Sequence, residues 1–139
     1  MTEPIDEQDT PDTPVAEAEP AYVDYDDFAR LDIRIGTIEA VEIVEDADKL
    51  LKLTVDLGED TPRQIISGIR EFFDDPQFLV GKQCPFVANL KPRVIRGLES
   101  QGMIMAASVD LPAHASAQAG DLFALLNPHV LLPAGTRVN

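Results

Sequence analysis

The sequence predicts an all-β domain: a five-stranded barrel with short helices, extra C-terminal strands and an acidic N-terminal tail. Three observations support this fold class. Five short apolar runs of strand length lie between residues 33 and 108, and the run at 51–57 alternates strictly with polar residues. Glycine, proline and acidic residues separate the runs, as expected of turns. A phase change within the first run predicts a strong bend, which small closed barrels require.

The tail is predicted from the distribution of charge. The chain has 139 residues and a formal net charge of -14, yet its first 27 residues hold ten acidic residues and no lysine or arginine. Such a proline-interrupted segment buries too little apolar surface to offset the entropy of ordering it, so residues 1–21 are predicted to be disordered. Residues 28–139 carry 15 acidic and 11 basic residues, a net charge of 15 − 11, or -4. A domain at 22–139 can therefore still present a local basic patch.

The first elements follow from local pattern. Residues 25–31 predict one or two helical turns, with aspartates suited to a helix N-terminus. Residues 33–44 are rich in β-branched side chains and predict a long strand. Its apolar residues change parity beside Gly36, which predicts a bulge or sharp bend there.

The middle of the chain predicts a hairpin, a short helix and a further strand. Residues 51–57 and 63–69 form strands two and three around a Gly- and Pro-containing turn. Residues 71–80 contain three phenylalanines around an Asp-Asp-Pro sequence and predict a short irregular helix, with the phenylalanines buried. Residues 83–88 predict strand four, and Pro85 indicates an edge strand or a strand end.

The last part of the chain completes the barrel and extends it. A loop at 89–101 leads to a fifth strand at 102–108. Five strands with a small helix between the third and fourth are the elements of an OB-fold barrel. Strands predicted at 121–126 and 130–132 exceed what that barrel needs, so they should cover its outside or meet another subunit.

The predicted loop at 89–101 is the segment with the clearest chemistry. Three of the 11 basic residues fall within six positions there: Lys91, Arg93 and Arg96. A basic loop beside the open face of a barrel suits nucleic acid, since Lys and Arg contact phosphates. Asn89, Ser100 and Gln101 offer neutral hydrogen bonds to bases or 2′-hydroxyls. An ordinary solvated loop is the alternative, and the exposed aromatic row of many single-strand binders is missing.

Several motifs of the chain, taken in order, resemble one family. They are Asp-Phe at 27–28, Leu-Asp-Ile-Arg-Ile-Gly at 31–36, Ala-Asp-Lys-Leu-Leu at 47–51, Ile-Ser-Gly-Ile at 66–69, Leu-Val-Gly-Lys at 79–82, Ala-Asn-Leu-Lys-Pro-Arg at 88–93 and Ser-Gln-Gly-Met-Ile at 100–104. The family is the tRNA-binding OB-fold domain found at the C-terminus of methionyl-tRNA synthetases. It also occurs as stand-alone structure-specific tRNA-binding proteins and has export-chaperone relatives.

This resemblance implies a function, a partner and a site. It implies recognition of tRNA shape and backbone by a homodimer in which residues 109–139 help to form the interface. It also implies a protein that acts alone or as an accessory part of methionyl-tRNA synthetase. The residues that it places at or near the RNA surface are Asn89, Lys91, Arg93, Arg96, Ser100, Met103, Arg34 and Lys49.

Some of these residues also have purely structural interpretations. Lys49 would pair with a neighbouring aspartate on the surface, an interaction worth little. Arg34 faces outward by alternation and would form a cross-strand ion pair with Asp56. Met103 would be a core residue, as methionines in apolar strands often are. Cys84, the single cysteine, is predicted to be a buried small hydrophobe.

The sequence predicts no catalytic residue, cofactor or metal site. The two histidines are 15 positions apart with no cysteine near either, and the glycines do not form a phosphate loop. No apolar run reaches the roughly 18 residues of a membrane helix, which favours a cytosolic protein. Two other functions stay open: a chaperone that binds unfolded polypeptide on the same fold, and a structural dimerisation subunit of a synthetase.

Overall fold

The computed structural model describes residues 21–111 and 120–139. The chain divides into two units, Met1–Arg30 and Leu31–Asn139. The described part of the first unit holds one helix, α1 (Tyr25–Ala29), where helical turns were expected. Its first turn carries two aspartates, which suit the positive end of the helix dipole. The disordered tail was predicted at residues 1–21, and all of it except residue 21 lies outside the described residues.

The second unit consists mainly of antiparallel strands. Two 3-10 turns, Arg70–Phe72 and Pro76–Leu79, stand where a short irregular helix was predicted. The strands are β1 (Ile33–Ile43), β2 (Leu51–Asp56), β3 (Arg63–Ser67), β4 (Gln83–Val87), β5 (Arg93–Ile95), β6 (Leu98–Ser100), β7 (Met103–Ile104), β8 (Ala106–Leu111), β9 (Gly120–Leu125) and β10 (Arg137–Val138).

The main sheet curls into a nearly closed barrel. Its strand order is β3-β2-β1-β4-β7, with β10 paired beside β1. Two further hairpins, β5–β6 and β8–β9, lie outside this sheet. The predicted all-β barrel class is therefore confirmed. No helix among the described residues is long and apolar enough to cross a membrane.

The barrel interior is built from alternating strand residues. In β2, Leu51, Leu53 and Val55 are fully buried, while the intervening polar side chains face outward. Ile65 on β3 and Phe86 on β4 join them in one apolar core. Each such side chain contributes roughly 1.5–3 kcal/mol through burial, so this pattern fixes the register of the sheet.

The bend in β1 differs from its predicted position. The register of β1 against β2 shifts between Ile38 and Ala40, three residues beyond Gly36. Gly36 instead lies where the strand approaches the core most closely. A Cβ atom there would lie 2.7 Å from both Leu57 and Val55 side chains, closer than van der Waals contact allows. The glycine is therefore required by packing rather than by the bulge.

The expectation that Pro85 marks an edge or a strand end is wrong. It lies within β4, which lies between β1 and β7, and it faces Ile35 of β1. Ile35 uses its own backbone N–H and carbonyl for Thr136 and Gly135. The pairing opposite Pro85 therefore requires no amide hydrogen from it, and the proline is tolerated.

The C-terminal extension covers the outside of the barrel, one of the two predicted roles. Within β9, the Phe123 ring stacks on Phe72 with centroids 4.5 Å apart and meets Phe73 edge-on at 5.6 Å. The strand predicted at 121–126 is thus confirmed as β9. The phenylalanines are not uniformly buried, because Phe78 is 56% exposed.

Two strand predictions near the C-terminus change. The fifth predicted strand is divided at Met105 into β7 and β8. Residues 130–132 form no strand, because the backbone N–H and carbonyl of Leu132 bind the Gln83 side chain at 3.0 and 2.6 Å. A side-chain amide thus takes the place of a neighbouring strand.

Candidate nucleic-acid interface

The segment that bears the basic residues closes the barrel. The backbone N–H of Gln101 donates to the Gln64 carbonyl at 2.8 Å, and the Gln64 N–H donates to Gln101 Oε1 at 3.0 Å. The Gln64 side chain donates in turn to the carbonyl of Glu99 at 2.8 Å. These bonds attach the chain around residue 100 to β3, the edge strand at the opposite end of the sheet order from β7.

The predicted loop at 89–101 contains a hairpin, β5–β6. Ile95 pairs with Leu98, which leaves a two-residue turn at Arg96 and Gly97. Both turn residues have positive φ, 54° and 78°, as a type I′ turn requires. A residue followed by glycine between two apolar residues is a weak sequence signal for such a hairpin. The turn places Arg96 at the hairpin tip.

The basic residues of the hairpin segment, residues 89–100, form no ion pair within 4 Å in the described part of the chain. Lys91, Arg93 and Arg96 are all exposed. The ion pairs among residues 21–111 and 120–139 involve other side chains. The positive charges therefore point to solvent and are available to an anionic ligand.

Lys49 lies close to the hairpin tip. It is exposed in the loop between β1 and β2, and it forms no ion pair within 4 Å among the described residues. This loop and Arg96 line a pocket of about 410 Å³. The pocket residues are Asp46, Ala47, Asp48, Lys49, Leu50 and Arg96. Lys49 and Arg96 are thus brought together, although two carboxylates interrupt the positive surface.

Ser100 and Asn89 have internal roles. Ser100 is only 5% exposed, and its Oγ accepts the Ile66 N–H at 3.0 Å and donates to the Gly102 carbonyl at 3.2 Å. Asn89 is exposed, but its Oδ1 accepts the Asp32 N–H at 2.9 Å. Met103 is not a core residue, since 48% of it is exposed. The structure therefore presents Met103 to solvent and uses the Ser100 hydroxyl to dock the segment on β3.

Arg34 belongs to an ion-pair network. The expected ion pair with Asp56 does not form, and Arg34 pairs instead with Asp32, at 2.9 Å, and Glu59, at 3.9 Å. The Asp56 carboxylate instead accepts the Gly58 N–H at 2.8 Å. The hydrogen bond between the Arg34 and Asp32 side chains lowers the pKa of Asp32 and raises the pKa of Arg34. Most of the Arg34 charge is thus balanced within the protein.

Arg63 was missed by the sequence-based interpretation. Its Nε and Nη2 each donate to the Glu59 carboxylate at 2.8 Å, and its Nη1 donates to the backbone carbonyls of Ala88 and Gln101. The hydrogen bond from Arg63 holds the pKa of Glu59 below its usual value. A lone arginine at the start of a strand gives no signal of such contacts, because its partners lie 25 and 38 positions away.

Cys84 is buried at 0% exposure, as predicted. Burial raises the pKa of its thiol to about 11, so the group is protonated and unreactive at neutral pH. Cys84 belongs to the apolar core and is not part of the basic hairpin.

A nearly closed five-strand barrel with a basic hairpin at its closure defines an OB-type barrel domain, a class that binds oligonucleotides and oligosaccharides. Comparison with family models identifies the particular family. The model described as "Putative tRNA binding domain" matches residues 33–137, and the chain belongs to this family.

Similar proteins include synthetases and solved single domains. The methionine–tRNA ligase of Deinococcus radiodurans is 50% identical over 116 residues, which is 84% of this chain and 15% of that protein. The crystal structure of a MetRS-related protein from Pyrococcus horikoshii is 32% identical, with a TM-score of 0.72 over 86% of this chain and 99% of that one. The chaperone CsaA from Bacillus anthracis is 29% identical, with a TM-score of 0.68 over 86% and 100%. The chain spans about 15% of the length of its curated relatives.

Proposed function

We propose that this chain is a non-catalytic tRNA-binding module that recognises the shape and backbone of tRNA. The observation that carries this proposal is the cluster of exposed basic residues on the β5–β6 hairpin segment that form no ion pair within 4 Å among the described residues, in a chain of the tRNA-binding family. Phosphate contacts carry no sequence information, so such a surface reads backbone geometry rather than an anticodon.

The proposed contact surface has an exposed and a supporting part. Lys91, Arg93, Arg96 and Lys49 supply phosphate contacts, and Met103 offers an apolar contact to a base or ribose. Asn89 lies beside them at the start of the segment. Ser100 and Arg34 belong to the supporting part, because their polar groups are engaged inside the protein.

Synthetase association and a homodimer complete the proposal. The matching ligases support a role in protein biosynthesis in the cytoplasm, in which the module raises the tRNA concentration near a methionyl-tRNA synthetase active site.

The β8–β9 hairpin supports self-association, since it forms an apolar surface with a cavity of about 230 Å³. Val109 and Leu122 on it are 54% and 48% exposed. Exposed apolar surface of this kind marks interaction sites.

The direct test is a titration of the chain into labelled total tRNA at two salt concentrations. An unstructured RNA of equal length is the control. We expect tighter binding to folded tRNA and a slope of log affinity against log salt of about −3 to −4 for four phosphate contacts. No binding at low salt would refute the proposal. Tight binding to the synthetase without RNA affinity would then indicate a structural subunit.

Peptide binding is a second candidate function, favoured by the similarity to the chaperone CsaA. The apolar face of β8–β9 is the surface that an unfolded segment would contact. Such binding should resist salt, whereas RNA binding should weaken with it. Suppression of aggregation that persists after loss of Lys91, Arg93 and Arg96 would support the chaperone function.

A further inference from the structure

The two ends of the hairpin segment meet at a single guanidinium group. Arg63 Nη1 donates to the carbonyl of Ala88, immediately before the segment 89–100, and to the carbonyl of Gln101, immediately after it, at 3.0 Å for the latter. The pairing of Val87 with Met103 joins the flanking strands β4 and β7, and Arg63 adds a bond to each end of the segment between them. The bonds of Arg63 lie nearer to the hairpin than the strand pairing does, so they restrain how the hairpin is oriented above the barrel.

The Arg63 guanidinium is itself held in place. Its other two nitrogens form a bidentate pair with Glu59, both at 2.8 Å. The two side chains are only 24% and 33% exposed. With its charge paired and four of its five N–H donors engaged, Arg63 is poorly suited to binding a phosphate directly. The planar guanidinium binds the two backbone carbonyls on one side and the Glu59 carboxylate on the other. A lysine ammonium cannot reproduce this arrangement.

We propose that Arg63 is a positioning residue for RNA binding, which joins the two ends of segment 89–100 and so presents its basic residues in one arrangement. This inference rests on the proposed function, since it concerns the same surface. If the hairpin occupies its binding-competent conformation before RNA binds, no free energy is spent on ordering it during binding. If the competent fraction falls, the apparent dissociation constant rises by the same factor.

The bonds of Ser100, Gln101 and Gln64 give the segment other attachments to β3, so it should not detach completely without Arg63. All of these bonds lie at the end of the segment that follows the hairpin. At the other end, the bonds that Ala88 and Asn89 make with Asp32 remain. Arg63 is distinguished by bonding to both ends.

The test uses the full chain and four variants. Arg63→Lys keeps the positive charge but removes the planar guanidinium, and Arg63→Gln removes both. Glu59→Gln keeps the guanidinium but removes the carboxylate charge that holds it in place. Lys52→Gln is the matched control, because Lys52 also pairs with a glutamate, Glu42, at 3.2 Å and is 28% exposed. It removes one positive charge as Arg63→Gln does, but makes no bond to the hairpin segment.

Two measurements separate positioning from other roles. In the free protein, amide hydrogen exchange within 89–100 should accelerate by about a hundredfold in both Arg63 variants, because a competent fraction that falls from nearly one to about one tenth raises the opening equilibrium constant by roughly that factor. The acceleration should be smaller in Glu59→Gln, and exchange in the barrel core should not change. Affinity for tRNA should fall about tenfold in Arg63→Lys while the salt slope keeps its wild-type value. Lys52→Gln should leave exchange in this segment unchanged.

The opposite results would overturn the inference. A reduced salt slope in Arg63→Gln beyond that of Lys52→Gln, with unaltered exchange, would make Arg63 a direct phosphate ligand. Unaltered exchange and affinity would remove any role. If Arg63→Gln does not fold, Arg63→Lys and Glu59→Gln still decide the question. The exchange measurement requires no RNA, so a chain that failed to bind tRNA would refute the proposed function without obscuring this result.

Discussion

Two hairpins among the described residues lie outside the main sheet, and they differ in the side chains that they expose and in the contacts that attach them to the barrel. The β5–β6 hairpin segment exposes lysine and arginine and is attached to β3 by hydrogen bonds from polar side chains. The β8–β9 hairpin exposes alanine, valine and leucine and is attached to the barrel by the stacked ring of Phe123.

The difference shows how one barrel supports two kinds of contact. Hydrogen bonds are directional, so polar attachments fix the orientation of a hairpin whose ligand is read by charge and geometry. The stabilisation from apolar packing is proportional to the buried area and is not directional. It therefore suits a hairpin whose outer face would bury further apolar surface. The following predictions test this contrast, from the largest expected effect to the smallest.

Replacing Lys91, Arg93 and Arg96 together by glutamine should produce the largest effect. We expect a loss of tRNA affinity of about two to three orders of magnitude at low salt, because three phosphate contacts and their released counterions disappear. The salt slope should fall by about 2 to 3, which a filter-binding or fluorescence titration measures. Self-association should not change. Retained affinity would show that the charged hairpin is not the RNA surface.

Val109→Glu should break the proposed dimer. Placing a carboxylate on an exposed apolar face that meets its own copy buries like charges, so the dimer dissociation constant should rise about a hundredfold. Sedimentation or light scattering at several concentrations measures this. Val94→Glu is the matched control, because Val94 is also an exposed valine, at 73%, but lies on the other hairpin. Equal dissociation constants for the two variants would argue against the β8–β9 face as the interface.

Phe123→Ala should destabilise the fold by about 2–3 kcal/mol, since it removes a ring that stacks on Phe72 and leaves a cavity. Urea denaturation measures the free energy of unfolding. Phe78→Ala is the control, and at 56% exposure of Phe78 it should cost less than about 1 kcal/mol. Equal losses would mean that the β8–β9 hairpin does not depend on this stack.

Acid should weaken the polar attachment before it affects the apolar one. Hydrogen bonds from arginine lower the pKa of Asp32 and of Glu59 in the folded state. The unfolded chain therefore binds protons first, so these pairs contribute fully above about pH 5 and their contribution is lost as pH falls through the folded-state pKa values. Glu59→Gln should make the decline in unfolding free energy shallower. An unchanged decline would exclude the Glu59 pair as a source of the acid sensitivity.

The sequence predicted elements whose stabilising contacts are local or periodic. β2 was recognisable because Leu51, Leu53 and Val55 face one side of a strand. β9 was recognised from its apolar run. The hairpin β5–β6 was predicted as a loop, because its two strands have three residues each and its positive-φ turn begins with Arg96 rather than glycine or asparagine. Residues 130–132 were predicted as a strand, yet their bonds go to the side chain of Gln83.

The sequence by itself determined the barrel class, the basic segment and the family resemblance, because alternation, charge density and ordered motifs are properties of neighbouring residues. Only the tertiary structure decided which polar groups are free to meet a ligand. Ser100, Arg34 and Arg63 have partners that are 34, 25 and 38 positions away at their farthest. Contacts over such separations depend on how the sheet closes, and no local pattern encodes the place where two distant strands meet.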